Sequence, residues 1–274
     1  VENREEQFPN LGTRALSADK EKGFSLIELL VVIGIISLLL AIIVPVVSRA
    51  RSQAKAAVCK SRLHEWGLVF SMCANNNNGH FFSYTKKYGG QQIITVWTDE
   101  LQEYYNDAKL CFCPAARKIS DRSLIKKRRI GGKFLAWSAE GFQGYSGRYG
   151  AGSYGLNAYV LTHKTSLEFW RGENVRGVMH VPLVLDSIWY AATPDSTDPV
   201  PPYDDIPVAV PAIGSFCINR HNSRVNGVFL DYSVRSVGLK ELWKLRWYKG
   251  IDTINQGPSI WNGWPIWMAD FKDY

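Results

Sequence analysis

From Phe24 to Val47 the chain runs for twenty-four residues with one charged side chain, Glu28. A helix of that length, at about 1.5 Å per residue, is roughly 36 Å long, and a hydrocarbon core is about 30 Å thick. The segment is therefore expected to span a bilayer. Lys20 and Lys22 precede it and Arg49, Arg51 and Lys55 follow it, so the nearby basic residues do not set its orientation. Glu28 needs its own explanation, because a carboxylate within an apolar helix costs about 3 kcal/mol in lipid unless something compensates it.

The order of small and apolar residues supplies the orientation. A secretory signal discards its apolar region and is cut after it. Here the small residue, Gly23, comes first, within Lys22-Gly23-Phe24-Ser25-Leu26-Ile27-Glu28. This string resembles the type IV prepilin cleavage and methylation motif, in which a glycine precedes phenylalanine and glutamate is the fifth mature residue. The resemblance implies that a prepilin peptidase cuts after Gly23 on the cytoplasmic face and methylates the new amino group of Phe24. It also implies a partner for Glu28, the terminal amine of a neighbouring subunit, whose attraction strengthens at low dielectric and sets the axial register of packed helices. The alternative is a glutamate tolerated by the helix dipole near the interface. Pro45 removes one backbone donor and should kink or loosen the helix. In pilins a proline near this place accompanies a locally melted spine, and a simple break at the membrane exit is the other reading.

Residues 1 to 23 read as a cytoplasmic leader with four basic and five acidic side chains, so the formal charge of +7 becomes +8 after cleavage. That mild excess is what a soluble basic surface carries, and no arginine-rich helix or aromatic-basic RNA motif accompanies it, so no nucleic-acid partner is expected. The run Lys126-Lys127-Arg128-Arg129 reads as a solvated loop face. Beyond Pro45 the helical pattern continues, with Cys59, Leu63, Trp66, Phe70 and Cys73 at spacings that place them on one buried face. The run Asn75 to Gly79 ends the helix with residues that tolerate left-handed backbone.

Downstream segments are short and β-like: Ile93 to Trp97, Leu156 to Leu161, Val178 to Leu185, Val225 to Leu230 and Val234 to Val237. Gly131 to Gly155 and the proline-rich Pro194 to Pro211 read as loops. The expected architecture is α+β and pilin-like. A long N-terminal helix forms the membrane spine and packs its C-terminal half on an antiparallel sheet with long loops. The expected divisions are a leader over 1–23, a spine over 24–47, and an extracytoplasmic domain over 48–274 that is helical to about residue 74.

Much of that domain resembles a pilin-related family with a prepilin N-terminus and a C-terminal H-x9-DG segment. Cys111-Phe112-Cys113-Pro114 resembles its Cys-Pro element and Ser153-Tyr154-Gly155-Leu156-Asn157 its Tyr-Gly-Asn strand. Arg220-His221-Asn222 followed by Asp231 resembles the H-x9-DG segment itself, and Gly238 to Trp243 its tail. The chain departs at Asp231-Tyr232, because the tight Asp-Gly turn needs a positive φ that tyrosine accepts poorly. Val225 to Leu230 should still pair with Val234 to Val237.

Five cysteines, Cys59, Cys73, Cys111, Cys113 and Cys217, cannot all pair with one another, and export favours disulfides among them. Cys59 with Cys113 is the expected bond, since the helix face and the Cys-Pro loop should meet in the core, with Cys73 and Cys111 as further candidates. Cys111-Phe-Cys113 is too short for the usual zinc loop and has no second pair. His221 and Asp231 alone do not make a site, since a hydrolytic triad would need a nucleophile and a zinc site a third ligand, and a structural hydrogen bond of His221 to backbone or to Asp231 is expected. No cofactor is expected, with calcium on Asp195, Asp198, Asp204 and Asp205 the weaker alternative, because their spacing lacks the EF-hand order.

Trp243, Trp247, Trp261, Trp264 and Trp267 crowd the last thirty-two residues. Exposed, they would form a platform for a glycan or a partner; buried, they would seal the domain end, which is the favoured reading. The sequence thus points to a structural pilin-like or pseudopilin subunit of the inner (cytoplasmic) membrane. It would be single-pass, with its C-terminal domain periplasmic or extracellular, and would serve a type II secretion-like pseudopilus or a type IV pilus-like fibre. Its partners would be prepilin peptidase, the membrane, and itself or other pilin-like subunits through the apolar helix. A membrane-anchored carbohydrate-binding or adhesive module is the alternative, and a DNA-binding minor pilin a weaker one. No constellation for an enzyme is present.

Overall fold

A computed structural model describes residues 24–83, 86–88, 91–93, 96–119, 123–125, 128–139, 150–162, 166–204, 213–253 and 263–273. The chain divides into two compact units with the boundary after Ser48. Helix α1 spans Leu26–Asn76 and includes Pro45, through which the helical assignment continues. In the first unit every described side chain is exposed, and the helix is long and apolar enough to cross a membrane.

In the second unit α1 buries Cys59, Leu63, Trp66, Gly67, Val69, Phe70, Cys73 and Ala74. The expected face is therefore the face that packs. Trp66 sits at its centre, edge-on to Trp97 at 4.5 Å and to Tyr105 at 4.8 Å between ring centroids, and its indole N–H donates to the Leu110 carbonyl at 3.0 Å. The helix ends as the asparagine run predicts. Asn78 and Gly79 take φ of 55° and 77°, and the Gly79 N–H donates back to Ala74.

The larger sheet has the order β10-β8-β9-β11-β12. Its strands are β8 (Tyr154–Asn157), β9 (Pro182–Asp186), β10 (Ala191–Ala192), β11 (Arg224–Phe229) and β12 (Val234–Gly238). All its pairings are antiparallel except β8 with β10. That exception arises because the chain leaving β9 turns over residues 187–190 and lands on the far side of β8, where the Leu156 N–H donates to the Tyr190 carbonyl. Gly67 lets α1 approach this sheet: a Cβ there would meet Val228 Cγ2 of β11 at 3.2 Å.

A second sheet joins β3 (Lys118–Ile119), β6 (Leu135–Ser138), β5 (Arg128–Arg129) and β4 (Ser123–Ile125), with β7 (Ala151–Gly152) beside β6. A separate hairpin pairs β1 (Lys86–Tyr88) with β2 (Gln91–Ile93).

Four segments differ from the sequence pattern. Trp97 opens a short helix, α2 (Trp97–Glu100), instead of closing a strand. After Asn157 the chain turns, because that side chain accepts from the Tyr159 N–H and its amide donates to Pro182 and Trp247 carbonyls. Val178–His180 is a single turn entered through Gly177 at φ 76°, so β9 begins only at Pro182. The glycine-rich stretch holds β6 and β7 around a fully buried Trp137.

Candidate functional site

At the start of α1 the Glu28 carboxylate accepts from the Ser25 N–H at 2.9 Å, and Ser25 Oγ accepts from the Ile27 N–H at 3.3 Å. Ser25-x-x-Glu28 is thus a variant of the capping box, its two bonds satisfying the Ser25 and Ile27 N–H donors that no helical carbonyl can reach. The S-x-x-E spacing is itself a sequence signature of a helix start. Gly23 lies outside the described residues, and Phe24 is exposed.

The globular unit holds a second constellation. Cys59 of α1, Cys113 of the Cys-Pro element, Asp186 at the end of β9 and His221 before β11 are all buried, and one ligand-type atom from each lies within 4.8 Å of the others. Cys59 Sγ is 3.6 Å from each Asp186 oxygen, Cys113 Sγ is 3.3 Å from His221 Nε2, and that same nitrogen is 3.2 Å from Asp186 Oδ2. Tyr154 of β8 donates its hydroxyl to Cys59 Sγ at 3.5 Å.

Arg220 holds this arrangement together. Its three nitrogens donate to the carbonyls of Lys133, Ser153, Gly132 and Ser187 and to Asp186 Oδ1 at 3.0 Å, so all five guanidinium hydrogens are used. Burial alone would raise the Asp186 carboxyl, but the His221 hydrogen bond, the charges of His221 and Arg220 and the Asn226 N–H outweigh it and hold it down to about 2. Burial alone would lower His221, yet Asp186 and then Cys113 outweigh that and hold it up to about 9. Burial raises the Cys59 thiol, reinforced by Cys113 and Asp186. For Cys113 burial is outweighed by hydrogen bonds from Cys59 and His221 and by the Arg220 charge, so its thiol is shifted down. Asp186 and Cys113, both shifted down, thereby face Arg220 and His221, the latter shifted up.

All five cysteines are buried free thiols. Cys59 and Cys113, the expected pair, are unbonded in the structure and lie together in the buried cluster. Cys73 lies against Asn77 and Cys111 against the Tyr105 hydroxyl. His221 and Asp231 lie at opposite ends of β11, six strand residues or about 20 Å of extended chain apart. His221 accordingly faces Asp186, while Asp231 caps the hairpin by accepting from the Ser233 N–H and hydroxyl. Tyr232 adopts the left-handed conformation at φ 62°, held by a hydrogen bond from its hydroxyl to Glu173, and β11 pairs with β12 as expected.

Asp195 accepts from Thr197 and Tyr248, Asp198 from the Asp195 and Ile213 N–H groups, and Asp204 from Lys133 and the Asn219 N–H. These bonds tie the 195–204 segment to Lys133, Ile213, Asn219 and Tyr248. Asp205 and Trp261 lie outside the described residues, as do Lys126 and Lys127. Trp243 and Trp247 are buried, and Trp264 and Trp267 are half-buried against the same core.

The pattern alone missed Asp186 and Arg220. The signal was a carboxylate closing the apolar run Val181 to Leu185, where a buried charge demands a paired partner.

Residues 19–44 match the family model described as the prokaryotic N-terminal methylation motif. No curated protein and no solved structure matches the chain. The chain therefore carries a prepilin-type N-terminal methylation motif followed by an apolar helix.

Proposed function

We propose that the protein is a structural subunit cut by prepilin peptidase after Gly23 and methylated on Phe24, whose apolar helix packs against other pilin-like subunits. The assembly is a type II secretion-like pseudopilus or a type IV pilus-like fibre, with the globular unit outside the cytoplasm. The match of residues 19–44 to the methylation motif carries this reading. The exposed apolar surface of the first unit supports it, since such a surface demands lipid or another helix. The globular unit is read as the H-x9-DG type. The half-buried or buried state of the described C-terminal tryptophans speaks for a structural head over a glycan platform.

Immunolabelling of surface or periplasmic filaments in the native cell tests the reading. Filaments that contain the chain, and that vanish when prepilin peptidase is deleted, are the expected result. A processed chain that stays monomeric in the membrane under every growth condition would contradict assembly.

A further inference from the structure

We propose that Cys59, Cys113, Asp186 and His221 form a structural zinc site that ties helix α1 to three separate parts of the globular unit.

Zinc takes thiolate at about 2.3 Å and imidazole or carboxylate at about 2.0–2.2 Å in a tetrahedron. Those bond lengths imply ligand-to-ligand edges of about 3.3–3.8 Å. The observed separations are 3.6 Å for Cys59 with Asp186, 3.3 Å for Cys113 with His221 and 3.2 Å for His221 with Asp186. These three separations lie close to such edges, and all four ligand atoms lie within 4.8 Å of one another, so a modest contraction would bring them onto one ion.

Hydrogen bonding alone accounts poorly for this convergence. His221 Nε2 faces both Cys113 Sγ and Asp186 Oδ2, but one nitrogen has one hydrogen to give. A hydrolytic triad would need a different geometry, with the carboxylate on the other imidazole nitrogen. It would also need access, and these residues are buried. A cation at the centre meets all four donors at once.

Charge points the same way. Two thiolates and one carboxylate supply three negative charges, and zinc with the Arg220 guanidinium balances them while His221 stays neutral. The supporting contacts suit ligands in those states: Arg220 and the Asn226 N–H orient the carboxylate, and the Tyr154 hydroxyl donates to the Cys59 sulfur. Such outer bonds fix ligand orientation and tune affinity. Two sulfurs, one nitrogen and one oxygen favour zinc over the hard cations that take oxygen alone. With four protein ligands and no open position, the site is structural.

The test is cobalt and zinc titration of the full chain in detergent, after treatment with a reductant and a chelator. One equivalent of cobalt should give the visible bands of a tetrahedral site and a thiolate charge-transfer band, both abolished by zinc. His221→Cys should strengthen the charge-transfer band roughly 1.5-fold, from two thiolates to three. Cys113→Ser should weaken it, and Cys73→Ser should leave it unchanged. The wild-type titration stands even if a variant fails to fold. Natively folded wild-type protein without a tetrahedral cobalt spectrum would overturn the proposal. So would a spectrum indifferent to Cys113→Ser, or peptide mapping of unreduced protein that finds Cys59 bonded to Cys113.

Discussion

The Arg220 guanidinium lies 3.0 Å from the Asp186 carboxylate with both side chains wholly removed from solvent. In that position Arg220 also bonds four backbone carbonyls, so one residue locks the turns around residues 132–133, 153 and 186–187. Two buried ions offset each other only while both remain.

Replacing Arg220 with Met is expected to destabilise the globular unit by about 3–5 kcal/mol, because Asp186 is left buried without its counter-charge. Arg220→Lys should recover only part of that loss, since an ammonium cannot reproduce the planar five-donor fork. Urea denaturation followed by tryptophan fluorescence checks both. Equal stability of wild type and Arg220→Met would remove the guanidinium from its structural role.

Ser25 and Glu28 separate two explanations of the same carboxylate. If Glu28 served only the capping box, Ser25→Ala and Glu28→Ala would have similar effects, each costing the local helix about 0.5–2 kcal/mol. The account predicts that Ser25→Ala assembles nearly as wild type. Glu28→Ala should be cleaved normally yet be lost from assemblies, since the pairing with a neighbour's terminal amine is gone. Co-purification of tagged and untagged subunits measures the difference.

Tyr232 occupies a turn position at φ 62° that favours glycine or asparagine. Tyr232→Gly should relieve about 1–2 kcal/mol of backbone strain while losing the hydroxyl bond to Glu173. The net change in stability should therefore be small. Tyr232→Val loses the same bond and adds a β-branched side chain in a left-handed conformation, so it should be clearly less stable. Thermal unfolding of the two variants provides the comparison.

The packed face of α1 was legible because Cys59, Leu63, Trp66, Phe70 and Cys73 repeat at helical spacing, and a helix must bury such a face. The β11–β12 hairpin was legible from its β-branched flanks despite Tyr232. The parallel edge strand β10 was not, since two residues carry no periodicity and their pairing depends on a turn 187–190 that local pattern does not specify. The buried cluster was half legible. Cys59, Cys113 and His221 each stood out by residue type, but the register of β9 decides that Asp186, rather than Asp231, reaches His221, and register is a tertiary property.

The central claim is the maturation of the N-terminus, and intact-protein and N-terminal peptide mass spectrometry of the chain from its native membrane tests it most directly. The account predicts a chain that begins at Phe24, with one added methyl on its amino group and the helix retained. A chain that still carries residues before Phe24 in cells with active prepilin peptidase, or one that has lost the apolar helix, would contradict it.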